Sequence, residues 1–215
     1  MTIKFAVLVG GVFLIGFLFF GAIGSASSPA PIEKPTTGLQ IKQPMIIGLE
    51  YAMPGMARVF SELGLRAVKQ YPDEIRWDRM QKSARSKIDF SKTDQFVKEY
   101  QEAGFTTLVI ALKSHSAWAS KKYLANPTPK KEYLELYKKW LTEVVERYDA
   151  DGFKDMPGLK LPVIYYEIGT EFSSYEPEAV EDYLVMLESA YQAAHLASDK
   201  VIVTHAAFLT TTVFD

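Results

Sequence analysis

Among its 215 residues the chain has no cysteine. That absence excludes a disulfide framework, a thiolate metal site and a cysteine nucleophile. A fold without such staples must bury a sizeable core, and a chain of this length can do so. Histidine is scarce: His115, His195 and His205 are the only three, and none stands at a metal-ligand spacing such as H-E-x-x-H. No metal and no cofactor is therefore expected. Charge of one sign is also lacking, with a net charge of −2 and no basic cluster, so a nucleic-acid partner is excluded. No G-x-G-x-x-G follows the first apolar strand, which leaves a dinucleotide fold without support.

What is present begins with a long apolar run. Met1-Thr2-Ile3-Lys4 leads into an uncharged stretch from Phe5 to Gly24, followed by small residues. A basic start, an apolar run and small residues describe a secretory signal. A run of about 20 residues also suffices to cross a bilayer as a helix. For residues 1–26 a cleaved signal peptide and a retained hydrophobic anchor helix both stand. Either way the rest of the chain is expected outside the cytoplasm, secreted or membrane-anchored. Residues 27–44 are rich in Pro, Ser and Thr and read as a linker.

From residue 45 onward, short β-rich runs alternate with helical patterns. Strands are expected at Met45–Tyr51, Leu65–Tyr71, Phe105–Leu112, Val163–Ile168 and Val201–Ala206. Between them lie a short helix at Pro54–Leu63, one that starts from a capping-box-like Ser91…Asp94, one capped by Thr128 with Pro129 at its first position, and one from Pro177 to about Ala197. Tyr137, Trp140, Leu141, Val144 and Val145 form a helical stripe that belongs to the core. Five buried strands alternating with four helices predict an α/β fold with a parallel sheet, either open and doubly wound or a barrel. A (β/α)8 barrel takes around 250 residues, more than follow the linker here. The apolar end Phe208–Phe214 brings no closing helix. The expectation is therefore an incomplete barrel, about the first five βα units, over residues 45–215.

The stretch from Val163 to Phe172 is a buried strand that ends in a carboxylate, Glu171. In a barrel, the C-terminal ends of the strands are where active sites are built. Elsewhere such a glutamate is simply a solvated loop residue. Glu50 and Tyr51, Lys69 and Tyr71, Lys113 and His115, and Thr204 and His205 also stand near strand ends and would rim the same cleft. Trp118 could stack on a sugar ring, whereas Trp77 reads as a loop anchor. His195, on a helix, reads as surface.

Three segments carry a resemblance to a known group. Ile75-Arg76-Trp77-Asp78-Arg79-Met80, running to Ile88-Asp89-Phe90-Ser91 and Asp94, resembles the loop after the second strand of clan A glycoside hydrolases. Glu146-Arg147-Tyr148-Asp149-Ala150-Asp151-Gly152 is similar to the segment before their fourth strand. Tyr166-Glu167-Ile168-Gly169-Thr170-Glu171 is similar to the W-E-I-G-N-E that ends it. The resemblance implies a retaining (β/α)8 glycosidase acting on O-glycosidic bonds of oligo- or polysaccharides, with Glu171 as general acid/base. It implies a substrate contact from Thr170, and on the barrel expectation the rim residues Glu50, Tyr71, His115, Trp118 and His205 are the further candidates for substrate binding. The family nucleophile, a Glu at the seventh strand, would fall beyond Asp215, so this chain alone is expected to be inactive. Thr170 stands where the family has the Asn that bonds a sugar hydroxyl, and Tyr166 stands for its Trp. That departure motivates the alternative of a catalytically inactive barrel that binds carbohydrate or serves as a scaffold. Glu167 reads as a buried carboxylate, with an arginine or a backbone donor as its expected partner.

Overall fold

A computed structural model describes residues 46–122, 127–172 and 179–206, together with the backbone of residues 6–8. The linker at 27–44, residues 173–178, which include the expected helix start at Pro177, and the apolar end at 207–215 lie outside the described residues. So does the N-terminal apolar run, apart from three residues. At Ala6–Leu8 (β1) the backbone is a strand rather than part of the expected helix, and it pairs in parallel with Ile47–Ala52 (β2). An edge strand with unpaired backbone groups accepts such a neighbour readily. Among the described residues no helix is long and apolar enough to cross a membrane.

The five expected strands are all present. After β2 come Ala67–Gln70 (β3), Thr107–Leu112 (β4), Tyr165–Ile168 (β5) and Ile202–His205 (β6). They form one parallel sheet in chain order, with helical crossovers between them. The helices are Ala57–Glu62 (α1), Trp77–Met80 (α2), Ser91–Glu102 (α3), Leu134–Glu146 (α4) and Val180–Ala197 (α5).

Strand side chains alternate between faces, and the two faces differ in chemistry. Val68, Leu108, Ile110, Leu112, Tyr166 and Ile168 are buried on one face, in the same core as Phe96, Val97 and Tyr100 of α3 and Tyr137, Trp140, Val144 and Val145 of α4. Ala190, Ala193 and Ala194 of α5 let α4 approach closely, and the Thr142 hydroxyl donates across to the Ala193 carbonyl at 3.0 Å. The opposite face carries Glu50, Lys69 and Glu167, described below.

Two helix starts differ from expectation. Pro129 does not open α4; it pairs with Ser120 across the preceding loop, and a 3-10 turn at Lys131–Tyr133 leads into the helix instead. Ser91 is the first residue of α3 rather than its cap, and its N–H donates to Asp89 Oδ1 at 3.0 Å. Asp94 is then free for another task. It accepts Arg147 Nε at 2.8 Å and the Tyr148 hydroxyl at 2.7 Å, so that α3 is tied to the end of α4. Two of the three segments that carry the family resemblance therefore meet in one ion-paired clamp. Arg147 also lies over the Phe90 ring, 4.7 Å from its centroid.

Candidate functional site

Glu171 owes its position to the way β5 stops. Gly169 follows the strand at φ +79°, a left-handed conformation that glycine adopts without steric cost, and its N–H donates to the Leu112 carbonyl at 2.8 Å. Glu171 is itself left-handed, at φ +42°. A non-glycine residue there is uncommon and persists only where the surroundings enforce it. The enforcement comes from Phe172, which turns into the core and stacks on Tyr183 of α5 with centroids 4.2 Å apart. The Tyr183 hydroxyl in turn accepts the Ala206 N–H at 2.9 Å, just past β6. Phe172 thus anchors the turn, and Glu171 beside it keeps partial exposure.

A second left-handed residue marks the same rim. Tyr51, at the end of β2, has φ +62°, and its ring lies 5.7 Å from that of Tyr71 beyond β3. The Tyr51 hydroxyl is pushed above its usual range by burial, and then by the negative charges of Glu50 and Glu171. Glu171, Tyr51 and Tyr71 therefore share one electrostatic neighbourhood at the C-terminal ends of three strands. Thr170 precedes Glu171 and is half-buried.

Beneath the rim lies a charged group that joins three strands. Lys69 Nζ donates to Glu50 Oε1 at 2.8 Å and to Glu167 Oε1 at 2.8 Å. Strand β4 separates Lys69 from Glu167, and the residue it places opposite Glu167 is Ala111. A methyl there leaves the space that the lysine stem crosses. These residues line a cavity of about 200 Å³ with Gly48, Val109, Tyr165 and Thr204. Burial raises the Glu167 carboxyl above its usual range, more than the attraction of Lys69 lowers it. Burial also opposes the charge on Lys69, but Glu167 and Glu50 together outweigh it and raise the lysine. Glu167 is mostly but not fully buried, with 13% of its side-chain surface exposed, and its partner is a lysine rather than an arginine or a backbone donor. Asp73, which the sequence reading passed over, pairs with Lys113 at 2.8 Å, and this pairing overcomes burial to lower the Asp73 carboxyl.

The other expected rim residues are distributed differently. Glu50 and Tyr71 are on the rim side, Glu50 within the lysine group and Tyr71 against Tyr51. His115 is 6% exposed and does not reach the cleft. Its carbonyl accepts the Asp78 N–H at 2.9 Å, which draws the loop after β4 onto α2 and buries the ring with Ser114, Phe172 and Met186. Burial, with Arg76 and Lys113 nearby, pushes the His115 imidazole down to about 4. Trp118 is also taken up by packing: its ring meets Trp77 edge-on at 4.9 Å, and its Nε1 donates to the Gln81 carbonyl. Trp77 is fully buried, as expected of an anchor. His205 ends β6 exposed, with Nδ1 at its neighbour's carbonyl, one register position beyond Thr204, which lies opposite Glu167. His195 is on the surface of α5 against Tyr191.

No family model and no curated protein matches the chain. Solved structures do. A glucosidase from Croceicoccus marinus superimposes with a TM-score of 0.55 at 14% identity, over 73% of this chain and 34% of the glucosidase. The endoglucanase Cel5A of Pseudomonas stutzeri matches at 15% identity with a TM-score of 0.49, over 71% of this chain and 42% of its own. This chain spans about a third of the glucosidase's length. The likeness is one of fold: the parallel α/β sheet described here is similar to that of a glycosidase.

Proposed function

We propose that the chain is the first part of a retaining glycoside hydrolase barrel, acting on O-glycosidic bonds of oligo- or polysaccharides with Glu171 as general acid/base. The observation that carries this reading is the placement of Glu171. A left-handed turn, fixed by the Phe172–Tyr183 stack, holds a carboxylate at the C-terminal rim of a parallel sheet beside two tyrosines. Retaining hydrolysis needs a second carboxyl about 5 Å away as nucleophile. On this proposal that group comes from barrel strands beyond the five here, at the seventh. Glu171 first protonates the leaving oxygen and then activates water. Thr170, Glu50 and Tyr71 are the rim groups that would touch sugar. The same reading sends the barrel outside the cytoplasm, secreted or held by the apolar run Phe5–Gly24.

Glu171→Gln in the full-length protein tests the role. Turnover of alkyl glycosides is expected to fall by roughly 10²–10⁴-fold, the usual contribution of a general acid/base. Glycosides with a dinitrophenyl leaving group need no proton and should lose less in the glycosylation step. Unchanged turnover on alkyl glycosides would remove Glu171 from the mechanism. Thr170 favours a second reading, a barrel that binds carbohydrate without cleaving it, because a hydroxyl offers fewer hydrogen bonds to sugar than an amide. No turnover by the parent protein on a broad glycoside panel, with retained oligosaccharide binding, would establish that reading instead.

A further inference from the structure

The loop between α4 and β5 holds a feature that the glycosidase reading does not use. Asp149, Asp151 and Asp155 each bring a carboxylate oxygen to within 4.8 Å of the others. Asp149 is 6% exposed, yet its Oδ1 has no hydrogen-bond donor. Two further buried oxygens, Glu146 Oε1 and the Tyr166 hydroxyl, are likewise without partners. They stand close enough for Glu146 to act on the Asp149 carboxyl and for Asp149 to act on the Tyr166 hydroxyl. A buried carboxylate oxygen without a donor is costly, and placing it among other carboxylates adds repulsion.

The loop's own N–H groups bind two of the three carboxylates. Asp155 accepts the N–H groups of Ala150 and Gly152 at 3.1 and 2.8 Å, and Asp151 Oδ1 accepts that of Phe153 at 2.7 Å. A carboxylate has about four acceptor positions, so these bonds orient the two side chains and leave lone pairs for another partner. Among the described residues no basic side chain is paired with the three aspartates: Arg147 is engaged with Asp94, and Lys154 lies over the Phe153 ring.

We propose that residues 149–155 form a binding site for a hard divalent cation of the calcium type, held by Asp149, Asp151 and Asp155. An all-oxygen donor set selects calcium or magnesium over the softer metals. A set supplied by one short loop favours the more tolerant coordination of calcium. The spacing is not that of the twelve-residue EF-hand, whose glycine is sixth; here Gly152 is fourth. The loop feeds the N-terminal end of β5, with the Val163 N–H donating to the Tyr148 carbonyl at 2.8 Å, whereas Glu171 follows that strand's other end. A cation here would brace the fold and take no part in the chemistry at Glu171.

The test is calorimetric titration of calcium chloride into the metal-stripped full chain, with thermal unfolding in parallel. Saturable binding is expected, with a dissociation constant on the order of 10⁻⁴–10⁻³ M, and magnesium should bind more weakly. The unfolding midpoint should rise with calcium chloride and not with potassium chloride of equal ionic strength. Asp151 is exposed, so Asp151→Asn should fold and weaken binding by at least about tenfold, the loss that even an outer partner of a metal ligand produces. Asp149→Asn should abolish binding. Absence of saturable heat in the parent at about 10 mM calcium would overturn the proposal and leave an ordered water as the partner of Asp149. Binding by Asp151→Asn equal to that of the parent would overturn it too.

Discussion

Replacing Lys69 by methionine isolates the charged group beneath Glu171. In the parent, Lys69 keeps 17% of its side-chain surface exposed, Glu50 18% and Glu167 13%, and each carboxylate is 2.8 Å from the ammonium. Removing the lysine leaves two carboxylates facing one cavity with no cation between them. Breaking a buried pair in this way costs about 3–5 kcal/mol, and the residual exposure points to the lower end, about 3 kcal/mol near neutral pH. The pH dependence follows from Glu167, whose folded-state carboxyl already lies above its ordinary 4.5 because burial outweighs the lysine. A carboxyl raised by folding stabilises the native state below its unfolded value and loses that contribution as pH rises through the folded one. Without Lys69 the carboxyl rises further, so the window widens upward. Urea unfolding of both proteins at pH 4.5 and pH 8 should show a small gap at the acid end and the full gap at the basic end. Replacing all three groups by Gln, Met and Gln should recover much of the loss, since no buried charge then lacks a partner. An equal gap at both pH values would refute the electrostatic account. An unchanged midpoint for Lys69→Met would refute the burial account as well.

Two further predictions concern the turn at Glu171 and the N-terminus. In Gly169→Ala the new methyl would meet only Ala206 Cβ, at 3.6 Å, so the effect isolates the backbone at φ +79°. A loss of about 1–2 kcal/mol in urea unfolding is expected, and a stability equal to the parent would show that the turn does not need its glycine. The export reading predicts that protein recovered from the secreting cell either lacks residues 1–26 by intact mass or fractionates with membrane. A full-length chain recovered in the cytoplasm would refute it.

Much of the fold was legible because the strands announce themselves. Phe105–Leu112 and Val163–Ile168 are rich in β-branched and aromatic residues, and within both the strands bury one face: Leu108, Ile110 and Leu112 in one, Tyr166 and Ile168 in the other. Local chemistry misled at Thr128–Pro129, where a favourable helix start lost to a bridge with Ser120, and at Ser91, where Asp94 was claimed by Arg147 and Tyr148. Strand-end position gave the location of Glu171 but not the fate of His115, because the loop after β4 folds back onto α2 and takes the ring with it. The Lys69–Glu167 contact joins residues 98 positions apart, and no local pattern reports it. The aspartates at 149, 151 and 155 stand close together in the sequence, but only the folded loop brings their carboxylates within 4.8 Å of one another.

The charged group also bears on which of the two functional readings the chain favours. Lys69 is shared between Glu50 and Glu167, so the three together carry one surplus negative charge when ionised, while Lys113 and Asp73 cancel. That surplus lies beneath a rim where Glu171 already acts electrostatically on Tyr51. A neutral sugar held in its ground state gains little from such a field. An oxocarbenium-like transition state develops positive charge at the reacting carbon, and fixed negative charge in a partly dehydrated site stabilises it over the neutral substrate. On the proposed glycosidase reading, this charge would favour the transition state over the neutral substrate, and Lys69→Met should then lower turnover more than it weakens substrate binding.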